Sequence, residues 1–343
     1  MTMTGLTKTL AKSRTRARTK ARTRTRTRTR TGTPDASRAS ARARDTSGPP
    51  FWTTRRRDVL AGYLFIAPQL AGVVLFVLIP VCLAIWYSLN DWNVFTGEQT
   101  FVGADNYAAL ADDPQLASVL GATAVFCGGV VVLNISLGLL LAVLLNRRFR
   151  GATFFRTLFF SPVVVSVVAW TLVWGFLLQD NGGVNGLLGA VGIEGPNWLQ
   201  NGDTAMLSVI ITQVIRSVGV NMVLFLAALQ GVPAQLYEAA RIDGAGSRVI
   251  FTRITLPLIS PTVLLTAIIT VVGALQSFAQ IAVLTGGGPE LSTTVLVYYV
   301  FQQAFEFNHI GYGSTLALML LSFVMLLTLM QWQLRRKWVF HEE

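Results

Sequence analysis

The chain is poor in charged and reactive side chains. Only 13% of its 343 residues are charged, and it contains two cysteines and two histidines. No lysine follows a glycine, so the phosphate-binding loop of an ATPase cannot be built. His309 and His341 are too few for a zinc pair or a Ser-His-Asp set, and Cys82 and Cys127 both fall in apolar runs. The sequence therefore predicts no catalytic group, metal site or cofactor.

What the chain has in excess is apolar sequence. Hydrophobic residues make up 52% of it, and its mean hydropathy of +0.53 is too high for a soluble domain of this size. Six runs could each cross about 30 Å of hydrocarbon as a helix, and none has the alternating pattern of a membrane β-strand. We predict an all-α membrane protein with six transmembrane helices, near residues 64–89, 116–145, 154–178, 205–229, 262–284 and 315–334.

Residues 1–57 differ from the rest of the chain. They hold 17 of its 28 basic residues, many in an alternation of arginine with threonine. Like charges with almost nothing apolar to bury predict a disordered tail, followed by a transmembrane domain over 58–343. The tail is open to three interpretations. It is a solvated extension, including one from a misassigned start site, or a segment drawn to anionic membrane lipid. Specific nucleic-acid binding is disfavoured because no aromatic residue interrupts the arginines.

The charges outside the spans predict the orientation. Basic residues follow the second, fourth and sixth spans, whereas the other three connections have no lysine or arginine and ten acidic residues. By the positive-inside rule, both termini lie in the cytoplasm. We expect a multi-pass protein of the cell membrane.

A polar loop over 231–260 separates the fourth and fifth spans. Residues 234–243 are good helix formers, and Gly244 provides a turn at which positive φ costs little. Ser247 is expected to cap a second short helix that ends at Pro257. The loop predicts two short helices on the cytoplasmic side, available for docking.

The loop resembles the Glu-Ala-Ala loop of binding-protein-dependent ABC importer permeases. The matching residues are Glu238-Ala239-Ala240, then Gly244, then Ile254-Thr255-Leu256-Pro257. The resemblance implies a coupling helix that docks on a cytoplasmic ABC ATPase dimer. Its contact residues would be Glu238 as the polar contact, Ala239 and Ala240 as a close-packing surface, and Asp243 and Gly244 at the helix end and turn. It also implies a second homologous permease subunit and an extracytoplasmic solute-binding protein.

Two outer connections are similar to permeases of the sugar type. One carries Asn90-Asp91-Trp92, and the other Leu284-Thr-Gly-Gly-Gly-Pro289. This resemblance implies a carbohydrate substrate and the first member of a permease pair.

One arginine interrupts the fourth span. Arg216 would cost about 2.5–3.5 kcal/mol in lipid, so it must face protein or water. Polar residues accompany it on this span and at the end of the fifth, and together they predict a substrate pathway: Gln213, Arg216, Ser217, Asn221, Gln276, Ser277, Phe278 and Gln280. Phe278 could stack on a pyranose ring. The alternative is that these groups fasten helices to one another.

A self-contained secondary transporter or channel is the second functional hypothesis. Such carriers usually need an ionisable group within the membrane. Apart from Arg216, and Arg156 at the start of the third span, the predicted spans contain no aspartate, glutamate, lysine, arginine or histidine. The Glu-Ala-Ala-like loop favours the importer permease.

Overall fold

The computed structural model describes residues 51–92, 96–147 and 149–338. The chain divides into two compact units, one ending at Ala67 and one beginning at Pro68. Residues 1–50, most of the predicted disordered tail, lie outside the described residues. The last part of that prediction is wrong, because residues 51–57 begin a helix. They follow Pro49 and Pro50, where the arginine-threonine alternation has ended.

Helices dominate the described residues. In chain order they are α1 (Phe51–Val73), α2 (Ile79–Ser88), α3 (Asp105–Asp112), α4 (Leu116–Leu145), α5 (Ala152–Phe160), α6 (Val167–Leu177), α7 (Gly183–Ala190), α8 (Gly202–Gly231), α9 (Ala234–Ile242), α10 (Ser247–Ile250), α11 (Leu256–Leu275), α12 (Ala279–Leu284), α13 (Leu296–Phe301) and α14 (Ile310–Trp338). Three π-helical segments, Val74–Leu78, Phe251–Thr255 and Gln302–Glu306, and a 3-10 turn at Ser161–Val164 adjoin these helices.

The described residues also contain one short hairpin. Strand β1 (Asn90–Trp92) pairs antiparallel with β2 (Gln99–Phe101), and Asn90 stands opposite Phe101. The hairpin follows the first apolar helix and precedes α3.

Five helical segments of the described chain are long and apolar enough to cross a membrane. They are Ala61–Ser88, Leu116–Leu145, Gly202–Gly231, Ser247–Leu275 and Ile310–Gln331. A sixth crossing exists if Ala152–Val164 and Val167–Leu177 count as one span. The prediction of a helical, multi-pass membrane fold is confirmed.

The third span is not the continuous helix expected over 154–178. Its two halves, α5 and α6, meet at an angle of 103°. Pro162 lies in the 3-10 turn after α5, and Val165 and Ser166 are extended. Proline cannot donate the backbone hydrogen bond that would continue a helix, which accounts for a break at this point.

The fifth span begins and ends earlier than the predicted 262–284. Helical structure runs without interruption from Ser247 to Leu275, so the expected stop at Pro257 is wrong. The π-helical segment Phe251–Thr255 precedes this proline, and such wider turns accommodate a residue without an N–H. Ser247 is the first helical residue and does not cap the helix with its side chain.

The core of the second unit lies between α4 and α8. A Cβ built on Gly138 would lie 3.1 Å from Cβ of Asn221 and 3.4 Å from N of Met222, so a glycine there lets the helices approach closely. Phe126, Val130 and Val214 fill one buried cluster in this region, and Ala142, Met222 and Phe225 belong to a second one. Helix α8 holds four of the residues predicted for the pathway, Gln213, Arg216, Ser217 and Asn221.

Candidate functional site

The loop between α8 and α11 ends its first helix with a specific turn. Gly244 has φ of +77°, as the sequence predicts. The N–H of Ala245 donates to the carbonyl of Ala240 at 2.9 Å, and the N–H of Gly244 donates to that of Arg241 at 3.1 Å. These two bonds form a Schellman motif, which satisfies carbonyls left free at a helix end. The motif fixes where α9 stops and where the chain turns towards α10.

One face of α9 is open. Gln235, Glu238, Ala239 and Ile242 are all exposed, and their spacing of three and four residues puts them on the same side of the helix. Ile242 is 86% exposed, which is unusual for so large an apolar side chain. We call these four residues the α9 face. Ile242 was not among the predicted contact residues, although its spacing of four from Glu238 indicated it.

The predicted contact residues do not all lie on this face. Asp243 and Gly244, at the helix end, are exposed. Ala240 is only 8% exposed, because it faces the chain's own interior. Its expected place beside Ala239 on the contact surface is therefore wrong. Ala239 and Ala240 are one residue apart, about 100° around a helix, so one can face outward while the other packs inward.

The inner side of the loop is tied to the base of the fifth span. The hydroxyl of Thr255, a buried residue in the π-helical segment, donates to the hydroxyl of Tyr237 on α9 at 3.3 Å. This contact joins the short helix to the long helical segment that follows it. A push on α9 would therefore be passed to the start of α11.

Two of the predicted pathway residues are paired with neighbouring helices. Asn221 on α8 is buried and donates to Oγ1 of Thr270 on α11 at 3.1 Å. Ser217, one turn earlier, lies 3.0 Å from Nδ2 of Asn134 on α4, which donates to it. Asn134 is fully buried and was not predicted. An asparagine within an apolar run indicated that Asn134 needs a polar partner, but the sequence did not indicate which one.

Arg216 differs from these paired groups. It is half-buried, and its Nε atom is buried without a hydrogen-bond partner among the described residues. Gln213, one turn earlier, is also half-buried. Among the described residues, the side chains of Arg216 and Gln213 form no hydrogen bond to a neighbouring helix.

The other predicted pathway residues surround a break after α11. The hydroxyl of Ser277 donates to Oε1 of Gln280 at 2.9 Å. Gln280 is 1% exposed, and its Nε2 has no partner among the described residues. The ring of Phe278 packs against Tyr298 and Phe301, with centroids 5.9 and 4.9 Å apart. Gln276, at the break itself, is exposed.

The break in the third span lies beside α8 as well. A Cβ on Gly219 would overlap the carbonyl oxygen of Phe159 and lie 2.8 Å from Cα of Phe160. The end of α5 therefore rests directly on α8, three residues from Arg216. This contact was not predicted from the sequence, although the Ser161-Pro162 pair indicated a broken helix at this level.

A separate polar cluster lies at the start of α4. Oδ2 of Asp113 accepts hydrogen bonds from the hydroxyls of Tyr299 at 2.7 Å and Tyr312 at 2.6 Å, and Oδ1 accepts from the N–H of Gln115 at 2.8 Å. Burial raises the pKa of Asp113, but bonds from Tyr312, Tyr299 and the backbone of Gln115 and Leu116 outweigh it, so the net pKa is lowered. Burial and the bond to this carboxylate raise the pKa of Tyr299.

Comparisons with known proteins identify the class. Residues 134–339 match the family described as the binding-protein-dependent transport system inner membrane component. A probable ABC transporter permease protein of Bacillus subtilis, YurN, is 36% identical over 274 residues, which cover 78% of this chain and 94% of that protein. The chain belongs to this family of inner-membrane permease components. The sequence-based assignment to ABC importer permeases is confirmed.

One further relative and one solved structure are similar to this chain. The multiple sugar-binding transport system permease protein MsmF of Streptococcus mutans is 34% identical over 278 residues, covering 80% of this chain and 95% of that protein. The fold is similar to a chain of a bacterial alginate ABC transporter crystallised with an alginate pentasaccharide-bound periplasmic protein. That match has a TM-score of 0.73 and 21% identity, and it covers 84% of this chain and 97% of that one.

Proposed function

We propose that this chain is a membrane-spanning permease subunit of an ATP-driven importer for a sugar or oligosaccharide. In this role it contributes half of the translocation pathway, and the energy comes from a partner ATPase dimer. A second homologous permease subunit completes the pathway. An extracytoplasmic binding protein delivers the carbohydrate.

The α9 face is the observation that supports this function most directly. It combines an exposed carboxylate, Glu238, with an exposed apolar side chain, Ile242, on a short helix. Large exposed apolar side chains with polar neighbours are typical of protein-protein contact surfaces. The Schellman turn fixes the end of this helix, and the Tyr237 to Thr255 contact connects it to the fifth span. A docked ATPase that moved α9 would thereby move α11.

The carbohydrate assignment rests on similarity. MsmF is named as a permease of a multiple sugar-binding system, and the outer connections around Asp91 and Gly287 resemble sugar-type permeases.

A positive-inside orientation puts the loop over 231–260 and both termini in the cytoplasm, on the side where ATP is available.

The pathway is proposed to run along α8 beside the two helix breaks. Arg216 and Gln280 each have a buried polar nitrogen without a partner among the described residues, and such groups need a partner from water, substrate or a neighbouring subunit. Non-helical backbone within a membrane is tolerated where it lines a cavity or is buried in protein. Gln213, Gln276, Ser277 and Phe278 belong to the same proposed lining.

Ser217 and Asn221 are proposed to fasten helices to one another rather than to line the pathway. Their side chains are already paired with Asn134 and Thr270 on neighbouring helices. They would hold α4, α8 and α11 at a fixed spacing, and a sugar hydroxyl would have to displace these bonds to reach them.

Recovery of partner chains tests the proposed function. The tagged chain would be purified from its native membranes in mild detergent, and stoichiometric companions identified by mass spectrometry. We expect a second six-span permease, an ATPase with a phosphate-binding loop, and a binding protein that stimulates ATP hydrolysis when loaded with carbohydrate. Recovery of the chain alone, with solute uptake in liposomes that needs no ATP, would contradict the proposal.

A further inference from the structure

Asp113 lies at the end of the bundle opposite the α9 face. The fifth span begins at the loop over 231–260, and α11 alone, at 20 residues, rises about 30 Å before α13 and Tyr299 are reached. At this end the Asp113 carboxylate joins three elements, because its partners Tyr299 and Tyr312 come from α13 and α14. The carboxylate is held rigidly in one position.

The carboxylate forms part of the wall of an open depression of about 340 Å³. Gln115, Gln303 and His309 also line the depression, and Nδ1 of His309 lies 3.2 Å from Oε1 of Gln303. We call this depression the Asp113 pocket. Its lining is rich in hydrogen-bonding groups and includes the aromatic rings of Tyr299 and Tyr312.

Among the described residues, no lysine or arginine pairs with the Asp113 carboxylate. The hydrogen-bond partners of Asp113 are two phenols and backbone amides, all uncharged. The connections at this end, residues 90–115, 179–201 and 276–309, contain no lysine or arginine. Because hydrogen bonding lowers the pKa of Asp113, the group remains ionised through the physiological range.

The geometry favours a cationic side chain as the occupant. Asp113 is only half-buried, and its uncharged partners leave the negative charge uncompensated, so an incoming donor can reach the carboxylate. A lysine or arginine would supply both that donor and the missing charge. The rings of Tyr299 and Tyr312, which line the pocket, provide an apolar contact for the stem of such a side chain.

We propose that the Asp113 pocket receives a lysine or arginine side chain of the extracytoplasmic binding protein. The inference rests on the proposed function, because it requires this end of the bundle to face the binding protein. It adds a specific contact to that function: a basic residue of the binding protein enters the pocket between Tyr299 and Tyr312 and pairs with Asp113. The contact lies next to the junction of α3, α13 and α14, so docking would engage all three elements.

Binding of the protein to the purified complex in lipid nanodiscs tests the pocket. The probe is the binding protein recovered with the tagged chain, measured against wild-type, Asp113→Asn and Tyr312→Phe complexes at low and high salt. Asp113→Asn removes the charge, whereas Tyr312→Phe removes one hydrogen bond and keeps the charge. We expect Asp113→Asn to weaken binding about tenfold at low salt and to flatten its salt dependence, as loss of a charge pair should. Tyr312→Phe should keep the salt dependence of the wild type.

Each other outcome has a definite meaning. Unchanged affinity and salt dependence in Asp113→Asn would overturn the proposed role of the pocket and leave the proposed function intact. Equal weakening in both variants with an unchanged salt dependence would show that Asp113 only positions helices, which also overturns it. Direct binding of free neutral sugar, lost in Asp113→Asn, would make the pocket a carbohydrate site instead. A wild-type complex that binds no binding protein would contradict the proposed function itself.

Discussion

The α9 face and the interior between α4, α8 and α11 differ in the exposure of their side chains. On the α9 face, Glu238 and Ile242 are exposed together. Between the long helices, Asn221 and Thr270 are buried and bonded to each other. One region is left open, and the other is closed by contacts within the chain.

The difference indicates where function and stability reside. Side chains whose hydrogen bonds are satisfied inside the chain contribute to holding the helices, each by about 0.6 kcal/mol in membrane proteins. Side chains that are exposed against expectation, such as Ile242, are available for a partner. Substitutions in the first group should change stability, and substitutions in the second should change assembly and transport.

Charge reversal on the α9 face should have the largest effect. Glu238→Lys places a positive charge at the proposed docking contact and leaves the spans unchanged, so we expect ATP-driven uptake to fall to background with normal membrane insertion. Uptake into proteoliposomes and the amount of inserted protein are the measurements. Arg248→Glu, a reversal at an exposed position of α10, serves as the matched control. Normal uptake by Glu238→Lys would remove the basis for coupling through this face.

A methyl group at Gly219 should disturb the closed interior. The new Cβ would collide with the backbone of Phe159 and Phe160, and such overpacking costs about 1–3 kcal/mol. We expect Gly219→Ala to lower the thermal midpoint of the detergent-solubilised protein. Gly128→Ala is the control, because a Cβ there meets nothing within 4 Å. Equal midpoints for the two variants would show that α5 does not rest on α8.

Loss of the exposed apolar contact should weaken assembly with the ATPase. Ile242→Asp removes a side chain whose burial in a partner is worth about 1.5–3 kcal/mol, so we expect at least a tenfold weaker affinity for the ATPase. The thermal midpoint of the isolated chain should not change, since Ile242 is already exposed. Titration of the purified ATPase against the chain in nanodiscs measures the affinity, and Ile242→Leu should retain it. A lower thermal midpoint with unchanged affinity for the ATPase would show that Ile242 stabilises the chain and does not contact the ATPase.

Removal of the buried amide should have the smallest effect. Asn221→Ala breaks the bond to Thr270, but Oγ1 of Thr270 still donates to the carbonyl of Thr266 at 2.8 Å. We expect a loss of about 0.6 kcal/mol in stability and unchanged uptake per folded complex. A double-mutant cycle with Thr270→Val measures the coupling between the two side chains. If substrate affinity changes and stability does not, Asn221 belongs to the pathway.

Local signals in the sequence predicted the first helix of the loop and the turn that follows it. The turn at position 244 was expected to have a positive φ because glycine tolerates it, and Gly244 has φ of +77°. The apolar run over 116–145 coincides with α4, because a long uninterrupted stretch without proline leaves few alternatives to a helix.

The failures arise where contacts beyond the local sequence decide. The third span is broken at Pro162, whereas the fifth continues through Pro257. The π-helical segment before Pro257 accommodates a residue that has no backbone N–H to donate. Ala239 and Ala240 are chemically identical, so only the packing of α9 against its own chain could separate the exposed residue from the buried one. The pairing of Asn134 with Ser217 joins residues 83 positions apart, which no local pattern reveals.

Accessibility of Ile242 tests the central claim most directly. In a variant with Cys82 and Cys127 replaced by alanine, Ile242→Cys would be treated with a membrane-impermeant maleimide in inside-out vesicles, with and without the ATPase. Arg150→Cys, at an exposed position before α5, is the control. We predict that the cysteine at position 242 is labelled in the free permease and protected in the complex, while the control is labelled in both. Equal labelling at position 242 with and without the ATPase would contradict docking on the α9 face.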